Sequence, residues 1–179
     1  MDLTGHKRIL ILGTSRNNNT SLAVHISNTL TNRKDWKVIS SYQSSCDVWK
    51  KVFPPDNVQS YHDIKDEESP IDGPLIFDQV VAASFYEKDW VKGKIKSAND
   101  LIVVTNNPSA YLNKTVLHTF DHVFIAKTTT PERQSQYHTI YIDAKKLPFS
   151  KFKTMVKGLK DSQYISMTPD GGAELVERG

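Results

Sequence analysis

Nine consecutive residues near the start of the chain pose the chemical question. Gly13, Thr14, Ser15, Arg16, Asn17, Asn18, Asn19, Thr20 and Ser21 follow a short apolar run. They occupy the frame of a phosphate-binding loop, G-x-x-x-x-G-K-[ST]. In that frame backbone N–H groups cradle phosphates, the Lys reaches the β- and γ-phosphates, and the final hydroxyl meets Mg²⁺. Gly13 and Thr20 fit the frame, whereas Asn18 stands at the second Gly and Asn19 at the Lys. Asn tolerates a positive φ better than most residues, so Asn18 keeps the turn possible. Asn19 donates hydrogen bonds but carries no charge. Arg16 is the only cation in the loop, and its planar fork differs from a compact ammonium. An ordinary strand-to-helix turn, capped by Thr20 or Asn19, is the competing reading.

Two further stretches extend the chemistry. Pro74-Leu75-Ile76-Phe77-Asp78-Gln79 is an apolar run ending in Asp, the form of a Walker B strand. Such an Asp would lie beside the loop and hold Mg²⁺ through water. Gln79 stands where ATP hydrolases usually place an acid. It would orient a water but is a poor base. Asn106, just past Leu101-Ile102-Val103-Val104-Thr105, is a candidate γ-phosphate sensor. The structural alternatives are a strand-end cap for Asp78 and a turn residue for Asn106. Thr20 and Asp78 are the candidate Mg²⁺ ligands, provided a nucleotide binds.

These positions need strands to present them. Apolar runs predict strands near 8–12, 37–41, 74–78, 101–105 and 122–126, with helices between. Leu22, Ile26 and Leu30 recur at helical spacing after the loop. Val48, Trp49 and Val52 fit a short helix, and 53–57 is a Pro-containing loop. Tyr86 to Ser97 reads as a helix with Lys88, Lys92, Lys94 and Lys96 on a basic side that would face a polyanion or solvent. Tyr137 to Ile142 reads as a strand or a helix end. Phe149 to Leu159 is helical, and Tyr164 to Met167 a final strand. The sum is an α/β, three-layer domain with a mainly parallel sheet. It spans 1–179 as one unit, with 170–179 expected as a mobile tail.

Composition narrows the classes. The chain has 179 residues, 38% hydrophobic and 24% charged, a size at which one core forms without metal or disulfides. Its net charge of +3 is too small to imply nucleic acid by itself. The single Cys46 excludes an intrachain disulfide and fits a reducing compartment. No apolar stretch reaches the length of a membrane span and no secretory signal is visible, so a membrane partner is not expected. His118 and His122 lack a third ligand nearby, which disfavours zinc.

The order of elements resembles a family. The loop frame, PLIFDQ, a helix, LIVVTNNPSAYLNKTVLHTFDHVFIAK, a PF-led helix and a terminal strand are similar to the DNA-packaging ATPases of large DNA viruses. These belong to the FtsK/HerA superfamily of P-loop NTPases, and the poxvirus-type proteins are the nearest form. The resemblance covers roughly Lys7 to Met167. It implies a P-loop NTPase-like fold, ATP with Mg²⁺ as ligands, and a place in virion assembly or genome packaging. The implied partners are further copies of the chain, viral structural proteins or DNA, in the host cytoplasm or the virion. Arg133 would lie where a trans-acting Arg is sought, although it matches no motif.

The two motifs that define nucleotide chemistry are the ones that depart, at Asn19 and Gln79. A degenerate, inactive ATPase homologue serving as a scaffold or assembly subunit is therefore the first expectation, with weak ATP affinity at best. The others are an active ATPase using Arg16 and Gln79, a small nucleotide kinase, and a non-enzymatic interaction module.

Overall fold

In the computed structural model, residues 7–14, 16–30, 35–64, 73–80, 85–107, 116, 118–142, 147–168 and 172–177 are described. Eight strands form one sheet: β1 Arg8–Leu12, β2 Lys37–Ser40, β3 Val58–Ser60, β4 Leu75–Asp78, β5 Leu101–Thr105, β6 His122–Ala126, β7 Gln163–Met167 and β8 Ala173–Glu177. The described helices are α1 Arg16–Leu30, α2 Gln43–Trp49, α3 Tyr61–Ile64, α4 Phe85–Ser97, α5 Pro131–Tyr141 and α6 Phe149–Gly158.

The strand order is β3-β2-β4-β5-β1-β6-β7-β8. Every pair from β3 to β6 is parallel, and β7 and β8 add antiparallel at one edge. The parallel strands are apolar almost throughout because both of their faces are covered. Alternate residues serve opposite layers. Ile9, Ile11, Val38, Ile76, Ile102, Val104 and Phe124 pack with Leu22, Ala23 and Ile26 of α1 and with Cys46 and Trp49 of α2. Leu10, Leu12, Ile39, Phe77, Val103 and Ile125 pack with Val91 and Ile95 of α4, Tyr137 of α5, and Phe152 and Val156 of α6. Helices on both faces of a mainly parallel sheet make the three-layer α/β architecture.

The five strands expected from apolar runs are present, and β5 is central, between β4 and β1. It is buried along its whole length. Tyr137 to Ile142, expected as a strand or a helix end, is a helix end: α5 runs from Pro131 through Tyr141, and Pro at the first helical position presets φ. Two other local features depart from expectation. The Pro-rich loop at 53–57 feeds a short strand, β3, that pairs with β2, where three residues are too few for a periodic signal. The chain does not go slack after Gly172: Ala173–Glu177 pair with Gln163–Met167. The exposed pattern of β8 has no apolar face to reveal it. Residues 65–70 lie outside the described residues.

Arg8 ties the lower end of the sheet together. Its guanidinium donates to the carbonyl of Ile95 (2.9 Å) near the end of α4 and, through Nε, to that of Thr119 (3.1 Å), and it lies over the Phe120 ring. The Asp121 carboxylate accepts the backbone N–H groups of Lys7 and Arg8, each at 2.9 Å. These contacts close the end of the sheet opposite the loop.

β1 is flanked by β5 and β6, so its register sets two interfaces at once: Leu10 faces Val103 on one side and Val123 on the other. Leu10 is fully buried. Leu10→Ala is expected to cost about 2–5 kcal/mol, the range for large-to-small core changes. Urea unfolding followed by circular dichroism would measure it, and a cost under about 1 kcal/mol would contradict this packing.

Candidate functional site

The candidate residues gather at the carboxyl ends of β1, β4 and β5. This is the edge of an open parallel sheet where ligands bind, outside the strand ends. β1 delivers Gly13, β4 delivers Asp78 and Gln79, and β5 delivers Asn106.

Gly13 begins the loop, and its N–H donates to the Thr105 carbonyl (3.3 Å). A Cβ at this position would lie 2.6 Å from the Ala126 Cβ and 2.8 Å from Asn19 Oδ1. Glycine is therefore required here by close approach of β6 and α1. Thr14 donates its hydroxyl to the Lys127 carbonyl (3.2 Å), just past β6. Ser15 lies outside the described residues, as do the side chains of Arg16 and Asn17. Ser21 is exposed.

The loop is shorter than the sequence frame implies. α1 begins at Arg16, so Asn17, Asn18, Asn19 and Thr20 are helical. Asn18 does not adopt a positive φ, and neither Asn19 nor Thr20 is the helix cap. Without Gly at 18 nothing favours a left-handed turn there, and the helix takes up the residues. The Asn18 carbonyl also accepts from the Tyr164 hydroxyl (3.1 Å), which joins β7 to the first turns of α1.

Asn19 is fully buried and turns back on the loop. Its Nδ2 donates to the Gly13 carbonyl at 2.9 Å. Among the described residues its Oδ1 has no hydrogen-bond partner. The group in the lysine position is thus neutral, and its amide is engaged within the protein.

Thr20 and Asp78 come together. The Thr20 hydroxyl donates to Asp78 Oδ2 at 2.9 Å. Asp78 is fully buried, and the same oxygen accepts from the Trp49 indole N–H at 2.7 Å. Both donors are neutral. Hydrogen bonds to a charged acceptor are the stronger kind, about 1.5–3 kcal/mol each. Trp49 escaped sequence reasoning, where it reads as an apolar helix residue. The one signal was that a buried indole N–H needs an acceptor.

Gln79 adopts φ 55°, the left-handed region, and is the non-glycine residue with a positive φ among those described. Its N–H donates to the Val104 carbonyl at 2.8 Å, and the residue is 5% exposed. Among the described residues its buried Nε2 has no hydrogen-bond partner. Strain in a non-glycine residue and an unsatisfied buried amide both concentrate at functional sites.

Asn106 is exposed at the end of β5, with its carbonyl accepting from the Tyr137 hydroxyl (3.0 Å). Next to it, Asn107 Oδ1 accepts from Arg133 Nη1 (2.8 Å), which also reaches Gln136 Oε1 (2.8 Å). Arg133, sought as a trans-acting group, is therefore engaged within its own chain, where it ties the turn at Asn106 and Asn107 to α5. The lysines of α4 are likewise partly engaged: Lys92 pairs with Asp89 at 3.0 Å, and Lys94 is buried over the Trp90 ring. His122 contacts the Ser166 hydroxyl at 2.8 Å, and no cluster of three metal-ligating side chains exists among the described residues.

Two oxygens from Thr20 and Asp78 are the kind of donor Mg²⁺ takes, usually together with waters and substrate phosphates. When bound, Mg²⁺ would neutralise phosphate charge. The triphosphate side of the site fits less well, because the loop is short and the residue in the lysine position is spent on Gly13. No helix among the described residues is long and apolar enough to cross a membrane.

The parallel sheet, the Gly13 turn into α1 and the Thr20–Asp78 pair define a P-loop NTPase-like α/β domain. Solved structures with this fold include viral packaging enzymes. The chain is similar to the genome packaging NTPase B204 from Sulfolobus turreted icosahedral virus 2 in complex with AMPPCP, with a TM-score of 0.56, 11% identity, and 94% of this chain and 96% of that one covered. The sulfate complex of the same protein gives 0.56 and 11% over 95% of each chain. B204 from Sulfolobus turreted icosahedral virus, a DNA-packaging ATPase, gives 0.55 and 12% over 93% of this chain and 95% of that one. At such identities the likeness is one of fold. No protein-family model matches the chain, and no curated protein sequence matches it.

Two outcomes follow for this end of the sheet. Gly13→Ala places a methyl against Ala126 and Asn19, and overpacking of this kind costs about 1–3 kcal/mol. Thermal unfolding of Gly13→Ala and of Gly13→Ala/Ala126→Gly is expected to show partial recovery in the double variant. Equal losses in both would contradict the close approach. Burial pushes the Tyr137 phenol above its usual pKa, with Arg133 opposing more weakly. The folded state then holds that proton more tightly. Its stabilisation is complete below the unfolded value of about 10 and is lost as pH rises beyond it. Melting curves between pH 9 and 11 should therefore fall less steeply for Tyr137→Phe than for the parent chain.

Proposed function

We propose that this chain is a packaging-type P-loop domain whose ATPase chemistry is silent, kept as a scaffold or assembly subunit in virion assembly or genome packaging. The observation that carries the reading is Asn19. In the position of the phosphate-binding lysine, it is neutral, fully buried and bonded to Gly13. A triphosphate carries several negative charges. Backbone N–H groups and the α1 dipole offset only part of them, with the dipole worth about 0.3–1 kcal/mol at an exposed site. Asp78 is held by Thr20 and Trp49, both neutral, so two of its hydrogen bonds form without nucleotide or metal. The fold shared with B204, solved with AMPPCP and with sulfate, supports the packaging lineage. Degeneracy of the loop is this chain's own departure.

One observation favours a second reading. The left-handed backbone of Gln79 and its Nε2, without a partner among the described residues, suit a residue that orients water beside Asp78. In that reading the domain is an active ATPase with an unorthodox loop, and Arg16 supplies the missing charge.

A Mg²⁺-ATP turnover assay separates the two. The silent domain is expected to show no turnover above background, whereas Asn18→Gly/Asn19→Lys gains ATP binding measurable by calorimetry. Steady turnover by the unmodified chain, abolished in Arg16→Ala, would sink the silent reading and establish the second.

A further inference from the structure

The sheet ends in two unlike edges. At one, β3 has three residues and Val58 is buried. Edge strands this short offer little to pair with. At the other, β8 has five residues, and no described strand pairs with its outer side. The Thr168 N–H donates to the Gly172 carbonyl (3.2 Å). Backbone groups alternate in direction along an antiparallel strand, so Glu174 and Val176 turn theirs to β7. Ala173, Leu175 and Glu177 turn theirs outward. Lysine, proline and bulges commonly blunt such an edge. β8 contains neither residue, and its register with β7 is unbroken.

The side chains add a pattern. Leu175 stands opposite the buried Ile165, on the face that α6 covers further in, yet is itself 57% exposed. Glu177 follows on the same face, exposed, and its carboxylate accepts from the Ser162 hydroxyl (3.0 Å). On the other face lie Glu174, exposed, and Val176, opposite Tyr164. From Glu174 to Glu177 the order is acidic, apolar, apolar, acidic. Residues 170–179 hold Asp170, Glu174 and Glu177 against Arg178, so the segment is net negative. At the Glu177 end, Lys160 and Asp161 just before β7 cancel each other.

We propose that the outer edge of β8 takes up an extended peptide segment of another protein as a further strand. That segment sets basic residues opposite Glu174 and Glu177 and apolar residues opposite Leu175 and Val176. Main-chain hydrogen bonds give such strand addition its affinity, and alternate side chains give it specificity. Opposite charges and apolar pairs across neighbouring strands both stabilise the pairing. The matching run, basic-apolar-apolar-basic, reads the same in both directions, so a parallel or an antiparallel segment satisfies it. A second copy of β8 would bring its own Glu174 and Glu177 onto the same ribbon, whereas a basic segment neutralises them. The proposal goes beyond the silent-ATPase reading and does not depend on it, because β6 and β7 separate β8 from β1 and its loop.

The test is fluorescence anisotropy on the full chain, without ATP, using two labelled short peptides. One is built around lysine-valine-valine-lysine, the other around glutamate-valine-valine-glutamate. The parent chain is expected to bind the basic peptide more tightly than the acidic one by about threefold or more, the scale of two cross-strand charge pairs. Leu175→Pro removes an outward N–H and leaves the bonds of Glu174 and Val176 to β7 in place. It should weaken the basic peptide about tenfold, as the loss of one or two backbone hydrogen bonds implies. Glu174→Lys/Glu177→Lys, two exposed changes that keep the strand, should reverse the preference. Circular dichroism confirms that each variant is folded. Unchanged binding in a folded Leu175→Pro would overturn the proposal. So would a charge-reversed variant that still prefers the basic peptide, or a parent chain that binds both peptides equally. A parent chain that binds neither peptide would overturn it as well, and sedimentation then shows whether the edge pairs with a second copy instead. ATP turnover is read separately, so either proposal can fail alone.

Discussion

A carboxylate with no exposure to water is the constraint to which the upper half of the molecule answers. Asp78 ends a strand buried on both faces. An ionised carboxylate in such a place loses several kcal/mol of hydration unless donors replace it. Two of those donors come from different helices, Thr20 from α1 and Trp49 from α2. That requirement fixes how α1 sits over the strand ends and why α2 packs indole-first. Because both helices lie on one face of the sheet, the Asp78 contacts and that half of the core form one cooperative unit.

The same geometry constrains the loop. Gly13 must approach Ala126 and Asn19 at distances that admit no side chain. Asn19 fills the space with an amide that closes on the Gly13 carbonyl. A lysine there would carry its charge towards a ligand, whereas Asn turns the same position into an internal tie. β7 reinforces this through the Tyr164 hydroxyl on Asn18, an anchor that the antiparallel edge of the sheet provides.

On the other side of the strand ends, α5 holds the turn at Asn106 and Asn107 by two adjacent contacts, Tyr137 on the Asn106 carbonyl and Arg133 on Asn107. The exposed Asn106 side chain is therefore mounted on a rigid base.

Much of this was legible in the sequence. Ile9 to Leu12, Leu75 to Phe77 and Leu101 to Val104 had to be buried strands, because parallel strands covered on both faces are apolar without alternation. The frame from Gly13 to Thr20 and the Asp at the end of β4 were legible as a pair, because strand ends and helix starts leave local marks. Four features were decided only by the tertiary structure. Trp49 reaches Asp78 across 29 positions of sequence, and Tyr164 reaches Asn18 across 146. Asn19 points inward because of what packs on Gly13. β8 exists because β7 offers an open edge, not because its own residues demand it. In each case a hydrogen bond or a packing contact joins distant positions, and no local periodicity encodes such a pairing. Residue types and spacing set the layers of this protein; the partners of its buried polar groups were set by how those layers stack.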